Sequence, residues 1–446
     1  MKRMLTLLLT ALLMLPLTAC QTFMGGDISD LMSPPKLTGE QRAIEKALEN
    51  TIGKGKFTLK YPMEGDYRSP VVLHNLDKDP EPEAIAVYRP AGDKAGAHVM
   101  ILKKEKGSWR KIDDISGEGQ EVDRLAFGDF DDNGSDELAI GWTLYTNTDL
   151  WLGVYSLSGS RYTKVFRSNF TEMTTLDMDG DGKTDILLLH LDAGQSGTDS
   201  GKSVASLVSY KNGRLTEISQ TPLDSTVSRY AGLYDTKVDG KPAVLVDGYK
   251  GAHSMVTELL LWQNGALTDP LYDASTHTVT RTLRDVPISC AKMSGDGSTE
   301  IPVPVELPGY GNVADYNSKI WLVRWQEYAD GDMKTVLQSI TNSAAGYYFI
   351  YPDSWGKNVT VDKTQGSDDW IFRVWDTASQ KMGSALFEIH AYPEDDWNTV
   401  RRTGGLTRLG ENNGVVYAAS VAGRSAGNAA YYMDIGTIRQ NFKLTQ

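Results

Sequence analysis

The stretch Leu176-Asp-Met-Asp-Gly-Asp-Gly-Lys-Thr-Asp185 decides how this chain is read. Asp177, Asp179 and Asp181 alternate along it and Asp185 follows, with Gly182 at the sixth position and the Lys183 carbonyl at the seventh. Hard oxygen donors at that spacing wrap a calcium ion, and glycine at the sixth position permits the sharp turn. Without a cation, carboxylates a few ångströms apart repel by several kcal/mol, even at an effective dielectric near 20. A helix–loop–helix calcium hand opens in the same way but needs a bidentate glutamate at position 12, where this chain has Leu188. The following run, Ile186–Leu189, is short, apolar and surrounded by turn residues, as buried strands are.

The pattern recurs about every fifty residues, a period that marks a solenoid or propeller. An earlier copy reads Asp129, Asp131, Asn133, Gly134, the Ser135 carbonyl and Glu137, followed by the apolar run Leu138–Trp142. A more eroded copy reads Asn75, Asp77, Asp79, Pro80 and Glu83. A fourth keeps Asp235, Asp239 and Gly240 but has Lys237 at the third position and Ala243 at the ninth. A fifth keeps Asp296, Gly297 and Glu300 but opens with Lys292 and Ser294. In the first unit, strands are expected at Val71–His74, Ala84–Tyr88, Val99–Leu102 and Trp109–Ile112. Hairpin turns are legible at Lys106-Gly107, Ser158-Gly159, Asn212-Gly213 and Asn264-Gly265, Asn-Gly being the strongest such signal. Four antiparallel strands per unit, repeated radially, make a β-propeller. The expected fold is mainly β: about five four-stranded blades over residues 57–342, with Phe57–Lys60 closing the ring, then a small α+β domain over 343–446.

Phe127-Gly128-Asp129-Phe-Asp-Asp-Asn-Gly134, continued by Glu137-Leu-Ala-Ile-Gly141, resembles an FG-GAP/VCBS repeat, the blade unit of the integrin α-subunit propeller. The resemblance spans about residues 65–340 and is sharpest in the second and third units. It implies calcium held by Asp129, Asp131, Asn133, Ser135 and Glu137, and by Asp177, Asp179, Asp181, Lys183 and Asp185. In the eroded loops at 75, 235 and 292 metal is left open, and Lys237 and Lys292 are candidates to replace the cation. Calcium at such corners is structural: its binding energy appears as stability of the fold, so function is sought elsewhere.

The N-terminus carries Lys2 and Arg3, an apolar stretch from Met4 to Leu15, and small residues before Cys20, the pattern of a signal peptide over residues 1–19. Leu17-Thr-Ala-Cys20 resembles a bacterial lipobox, which implies cleavage before Cys20 and its acylation, as with palmitate. Only about 16 apolar residues precede the cysteine, fewer than the roughly 20 that span a bilayer. Residues 20–36, with Gly25-Gly26 and Pro34-Pro35, read as a lipidated tether, and Thr38-Gly-Glu-Gln41 as the capping box of a helix within 37–56. The expected location is therefore a membrane surface outside the cytoplasm, at the cell surface or in the periplasm, with a plain secreted protein as the alternative. With Cys20 acylated, Cys290 is the sole remaining thiol and reads as a small hydrophobe in a strand.

The formal net charge is −13, and loss of Lys2 and Arg3 with a signal peptide would deepen it. No basic stripe is present, so nucleic acid is excluded as a partner. The C-terminal part shows strand-like runs at Trp370–Trp375, Ala385–Ala391 and Val415–Ala419, with helices expected at Glu394–Arg402 and Ala429–Phe442. Its opening Tyr348-Phe-Ile-Tyr-Pro352 and closing Ile438-Arg-Gln-Asn-Phe-Lys-Leu444 resemble a PsbP-type domain.

No catalytic residues emerge. Gly423-Arg-Ser-Ala-Gly427 matches a nucleophile-elbow pattern, but that hydrolase order needs a histidine after the serine, and the last histidine is His390. The six histidines lack the close spacing of a zinc site, and Asp368-Asp369 and Asp395-Asp396 read as loop and helix-start charges. The links from second to third strand, Arg89–His98, Thr143–Thr148, Leu191–Ser203, Asp247–Ser254 and Leu307–Ser318, should share the face opposite the calcium loops. They carry Tyr145, Tyr249, His253, Tyr310 and Tyr316 among small polar residues, a composition suited to adaptable binding. The expected function is non-catalytic binding of a protein or glycan. The alternatives are an enzyme acting on extracellular polysaccharide and a scaffold for envelope assembly.

Overall fold

A computed structural model describes residues 39–92, 96–144, 150–191, 203–311, 313, 318–363 and 369–445. Cys20, Tyr145 and Tyr316, together with the signal peptide, tether and Thr38, lie outside these residues. The described chain is mainly β, built of antiparallel sheets that follow one another along the sequence. No helix among the described residues is long and apolar enough to cross a membrane.

Helix α1 (Gly39–Ile52) forms where Ile44, Ala47 and Leu48 recur at helical spacing and are buried together. They pack on Ala84, Tyr88, Met100 and Trp109 of the first sheet, and burying Ile44 and Leu48 contributes about 1.5–3 kcal/mol each. That sheet comprises β1 (Phe57–Leu59), β2 (Val71–His74), β3 (Glu83–Pro90), β4 (His98–Glu105) and β5 (Ser108–Ile115). Strands β1 and β2 share one edge of β3, Leu59 facing Tyr88 and Val71 facing Ala86. The expected ring-closing strand Phe57–Lys60 thus extends the first sheet, and among the described residues no strand pairing joins the first sheet to the fifth.

The second sheet runs β6 (Glu121–Gly128), β7 (Glu137–Thr143), β8 (Leu150–Ser158) and β9 (Arg161–Phe170). The third runs β10 (Glu172–Leu176), β11 (Asp185–His190), β12 (Val204–Lys211) and β13 (Arg214–Pro222), and the fourth β14 (Arg229–Val238), β15 (Lys241–Lys250), β16 (Ser254–Gln263) and β17 (Ala266–Thr268). Every residue of β7 is buried, because apolar layers cover both of its faces. Consecutive sheets share those layers: Phe170 and Met173 pack with Leu152 and Ile186 between the second and third, Leu187 and Leu207 with Val244 and Leu260 between the third and fourth. The hairpins expected at Lys106, Asn212 and Asn264 form, each with a left-handed residue followed by a left-handed glycine.

The short pair β18 (Tyr272–Asp273) and β19 (Thr278–Val279) precedes a fifth sheet of β20 (Ile301–Glu306), β21 (Trp321–Ala329), β22 (Asp332–Asn342) and β23 (Tyr347–Ile350). The expected boundary between residues 342 and 343 falls inside this sheet, since β23 pairs β22 and is itself paired by the distant strand Phe442–Leu444. A last sheet holds β24 (Val359–Lys363), β25 (Trp370–Asp376), β26 (Lys381–Pro393), β27 (Thr407–Asn412) and β28 (Val415–Val421). Phe349, Trp355, Phe372 and Phe387 pack ring against ring between these two sheets. Helix α2 covers Glu394–Val400 as expected, but the helix expected from Ala429 is shorter, Ile435–Asn441. Asp434 accepts from the Thr437 N–H at 2.8 Å and so starts it late.

The fourth sheet encloses ionisable groups. Asp247 and Arg284 are both fully buried and meet at 2.8 Å, while Glu258 and Asp269 each leave one buried carboxylate oxygen without a hydrogen bond. Cys290 is buried beside them, its Sγ 3.3 Å from Asp247, in a loop rather than the expected strand. Burial pushes the Asp269 carboxyl from the ordinary range up to about 7. The folded state then holds this proton to a higher pH than the unfolded chain. Stability should fall as pH rises from about 4 towards about 7 and level off above that. Replacing Asp269→Asn should flatten that fall, as read by thermal midpoints against pH; equal slopes for both proteins would refute it.

Candidate functional site

The acidic loops share one internal contact. The carboxylate at the ninth position accepts the backbone N–H of the residue at the second: Glu83 from Leu76 at 2.9 Å, Glu137 from Phe130 at 2.9 Å, Asp185 from Met178 at 3.0 Å and Glu300 from Met293 at 2.7 Å. Leu76, Phe130 and Met178 are thereby buried as apolar plugs beneath their loops. The opening aspartate binds the turn above it: Asp129 accepts from the Asn133 and Gly134 N–H groups, Asp177 from those of Gly180 and Gly182. Gly134 and Gly182 sit at φ 89° and 88°, which explains glycine at the sixth position.

These bonds draw anions together. Asp129, Asp131 and Glu137 form one group, and Asp177, Asp179 and Asp185 another, with one oxygen from each residue within 4.8 Å of the rest. Asn133 and Ser135 lie in the second loop, where Asn133 Oδ1 accepts the Ser135 N–H at 2.7 Å. Burial, then the neighbouring Asp131 and Asp129, push Glu137 up to about 7. In the third loop Asp185 Oδ1 and Ser209 Oγ are buried without a hydrogen-bond partner. An excess of oxygen donors, two of them orphaned, is the donor set a hard divalent cation takes. Both loops fit calcium, with Asp181 and the Lys183 carbonyl completing the third.

Register shows what distinguishes the copies. On the strand that follows and pairs with the one the ninth-position carboxylate opens, the residue facing that carboxylate is Lys103 in the first sheet, Ser156 in the second, Ser209 in the third and Glu327 in the fifth. Lys103 Nζ enters the first loop and contacts Asp77, Asp79 at 2.7 Å and Glu83 at 3.2 Å. Burial alone would lower its pKa, but the hydrogen bonds it donates to these three carboxylates raise it. The first loop therefore carries its own cation. Lys211 Nζ reaches Asp181 at 2.9 Å and Asp179 at 3.2 Å from the rim of the third loop.

The fourth copy is no loop. Asp239 and Gly240 form a tight turn with φ of 51° and 78°, Val238 pairs Lys241, and Asp235 pairs Val244 within the ladder. Continuous pairing leaves no corner for an ion, and Lys237 stands in that ladder opposite Pro242. In the fifth loop Asp296 and Glu300 are joined by Glu327.

The expected ligand residues separate. Tyr249 lies under the Arg229 guanidinium, 3.8 Å from its ring centroid, and His253 is exposed on the adjoining link. Tyr310 is buried, and its hydroxyl donates to the Val361 carbonyl at 2.9 Å. It packs in the core between the fifth and last sheets and is corrected from ligand contact to structural residue. Ser425 is exposed in a turn organised by Asn428, without the expected helix directly behind it.

A cavity of about 420 Å³, unseen in the sequence, lies between the first strands of the second, third and fourth sheets. Arg124, Glu172, Thr174 and Tyr230 line it, with Glu64 and Asp66 from the segment that pairs onto β6. Arg124 is held by Asp123 at 2.6 Å and Glu172 at 2.8 Å. The Tyr230 hydroxyl is buried without a hydrogen-bond partner, and burial, then Glu258, keep it protonated far above its ordinary range. Glu121 faces Thr143, Glu172 faces Leu189 and Arg229 faces Tyr249. Most of the cavity thus lies toward the end of the sheets from which the second-to-third-strand links leave, away from the acidic loops.

Comparison with protein-family models and with curated proteins finds no match. Among solved structures, a Bacillus licheniformis rhamnogalacturonan lyase aligns at 13% identity and a TM-score of 0.31, covering 74% of this chain and 70% of that one. The rhamnogalacturonan lyase YesW aligns at 15% and 0.31, covering 75% and 72%, and a Lactobacillus plantarum protein at 12% and 0.31, covering 72% and 84%. Scores this low assign neither a fold nor an activity.

Replacing Lys103→Ser, the residue the second and third sheets carry at that register, should cost about 1–2 kcal/mol without calcium, because three gathered, partly exposed carboxylates lose their counter-charge. Calcium should restore the loss and bind with one more equivalent, as read by calorimetric titration; unchanged stoichiometry and stability would refute the tethered-cation role. In a second test, Asp179→Asn with Asp181→Asn should leave the site at Asp129 as the remaining strong one. Its calcium affinity should drop as pH falls below about 7, where Glu137 takes up a proton, and stay level above; an affinity independent of pH between about 5.5 and 8 would be the contrary result.

Proposed function

We propose that this chain is a lipid-anchored, extracytoplasmic binding protein, held at the membrane by acylated Cys20. In this reading its five successive sheets are the blades of a β-propeller, braced by calcium in the second and third loops, and its ligand is a glycan or protein. The observation that carries the binding role is the polar cavity at the first strands, lined by Arg124, Glu172 and Thr174 with Tyr230 beside them. Carboxylates outnumber the one guanidinium there, and Glu172 already engages it. Such a lining accepts hydrogen bonds from the hydroxyl groups of a neutral sugar and repels anions. Tyr249 and Arg229 extend the same end of the fourth sheet with a stacked aromatic and cation.

A protonated phenol and a paired guanidinium suit recognition better than proton abstraction, which favours binding over turnover of polysaccharide. Screening neutral and acidic oligosaccharides by calorimetry should find a neutral ligand. Changing Thr174→Val, which keeps the side-chain shape and removes a hydroxyl lining the cavity, should weaken that ligand by about fivefold, the worth of one hydrogen bond, with folding intact. Cleavage of any screened polysaccharide would favour the enzymatic reading, and equal affinity in the Thr174→Val protein would remove the cavity from the site.

A further inference from the structure

In the last sheet Trp370 pairs Ile389, so the antiparallel register sets Asp369 opposite His390, and Glu388 lies two residues along on the same face of β26. Ile389 and Phe387 turn to the other face and into the aromatic core. Three ligand-type side chains thus gather on the outer face of one sheet, far in sequence from the acidic loops. His390 is mostly buried, its ring stacked 5.6 Å from that of Tyr392, which in turn packs near Trp397 of α2. The imidazole is therefore fixed in orientation.

Its nitrogens face both acids. Nδ1 lies 3.2 Å from Asp369 Oδ2, and Nε2 lies 3.8 Å from Glu388 Oε2. One donor atom from each of the three residues lies within 4.8 Å of the others. Although Nδ1 is buried and close to a carboxylate oxygen, it makes no hydrogen bond. An N···O separation of 3.2 Å without hydrogen-bond geometry matches an edge of a coordination polyhedron. Bonds of about 2.0–2.2 Å place neighbouring ligands roughly 3.0–3.5 Å apart.

We propose that Asp369, Glu388 and His390 form a site for a first-row divalent metal, with zinc as the working probe. The donor set separates it from the acidic loops. An imidazole nitrogen with two carboxylates favours zinc or manganese, whereas loops of oxygen donors alone favour calcium. Three protein ligands leave a coordination position for water. The other close histidine–carboxylate pairs, His74 with Asp136 and His98 with Asp114, are absent from the groups of three or more candidate ligands among the described residues.

The test is zinc titration of the intact protein in saturating calcium. One zinc equivalent should bind beyond the calcium, and His390→Ala should abolish it. Asp369→Asn and Glu388→Gln should each weaken it by more than the roughly 100-fold that loss of a supporting partner costs at most. Calcium stoichiometry must stay unchanged in all three variants, which keeps a folding defect distinct from a lost ligand. If His390→Ala unfolds the protein, the conservative Glu388→Gln variant decides alone. Absence of zinc binding, or zinc binding unaffected by these substitutions, overturns the proposal.

Discussion

A carboxylate reaching back seven residues to a backbone N–H organises the repeated part of this chain. The contact joins the end of one strand to the start of the next and turns the corner between them. It satisfies a buried donor, and such charge-assisted bonds are worth about 1.5–3 kcal/mol each. It also buries the carboxylate itself, as at Glu137 and Asp185, and holds the other acids of the loop nearby. The corner is thus made at the cost of concentrated negative charge, and each unit answers that charge differently. Lys103 supplies a tethered amine, Ser156 and Ser209 leave room for an ion, and the fourth sheet dispenses with the corner altogether.

Where the fourth sheet lacks this corner, other polar contacts join it to the segment leading into the fifth. Asp247 receives the Arg284 guanidinium and the Cys290 N–H, and Arg284 also donates to the Thr282 and Ile288 carbonyls. That segment is therefore fastened through one buried carboxylate. Such a pair specifies an arrangement more than it adds stability, because desolvating both charges offsets much of their attraction. The Thr236 hydroxyl donates to the Thr299 carbonyl and the Thr299 hydroxyl to the Asp235 carbonyl, which completes the junction.

Much of this was legible in the sequence because loop and strand signals are local. The alternation of Asp177, Asp179 and Asp181 and the Asn-Gly turns report on contacts a few residues apart. The apolar residue at the second position, Leu76, Phe130, Met178 or Met293, was in plain view as well, but its role appears only with the bond that its N–H donates. Lys103 was not legible, since its meaning depends on facing Glu83 from the neighbouring strand. The fourth copy misled because Asp239-Gly240 serves a tight hairpin as well as it serves a cation loop. Tyr310 misled for a different reason: the sheet following its loop covers it, and no local pattern announces that. Asp369 and His390 read as unrelated until register set them side by side.

The pairing of Tyr347 with Leu444 has a kinetic consequence. The first four sheets each close within a compact span of chain, so their loop-closure entropy is modest and they can form in order as the polypeptide emerges. The fifth must wait for a strand nearly a hundred residues downstream, by which point the last sheet has been made. Loop-closure cost rises only slowly with length, yet the delay exposes the edge of β23 and its aromatic neighbours throughout. That edge is the surface at which an interrupted folding reaction would recruit another chain.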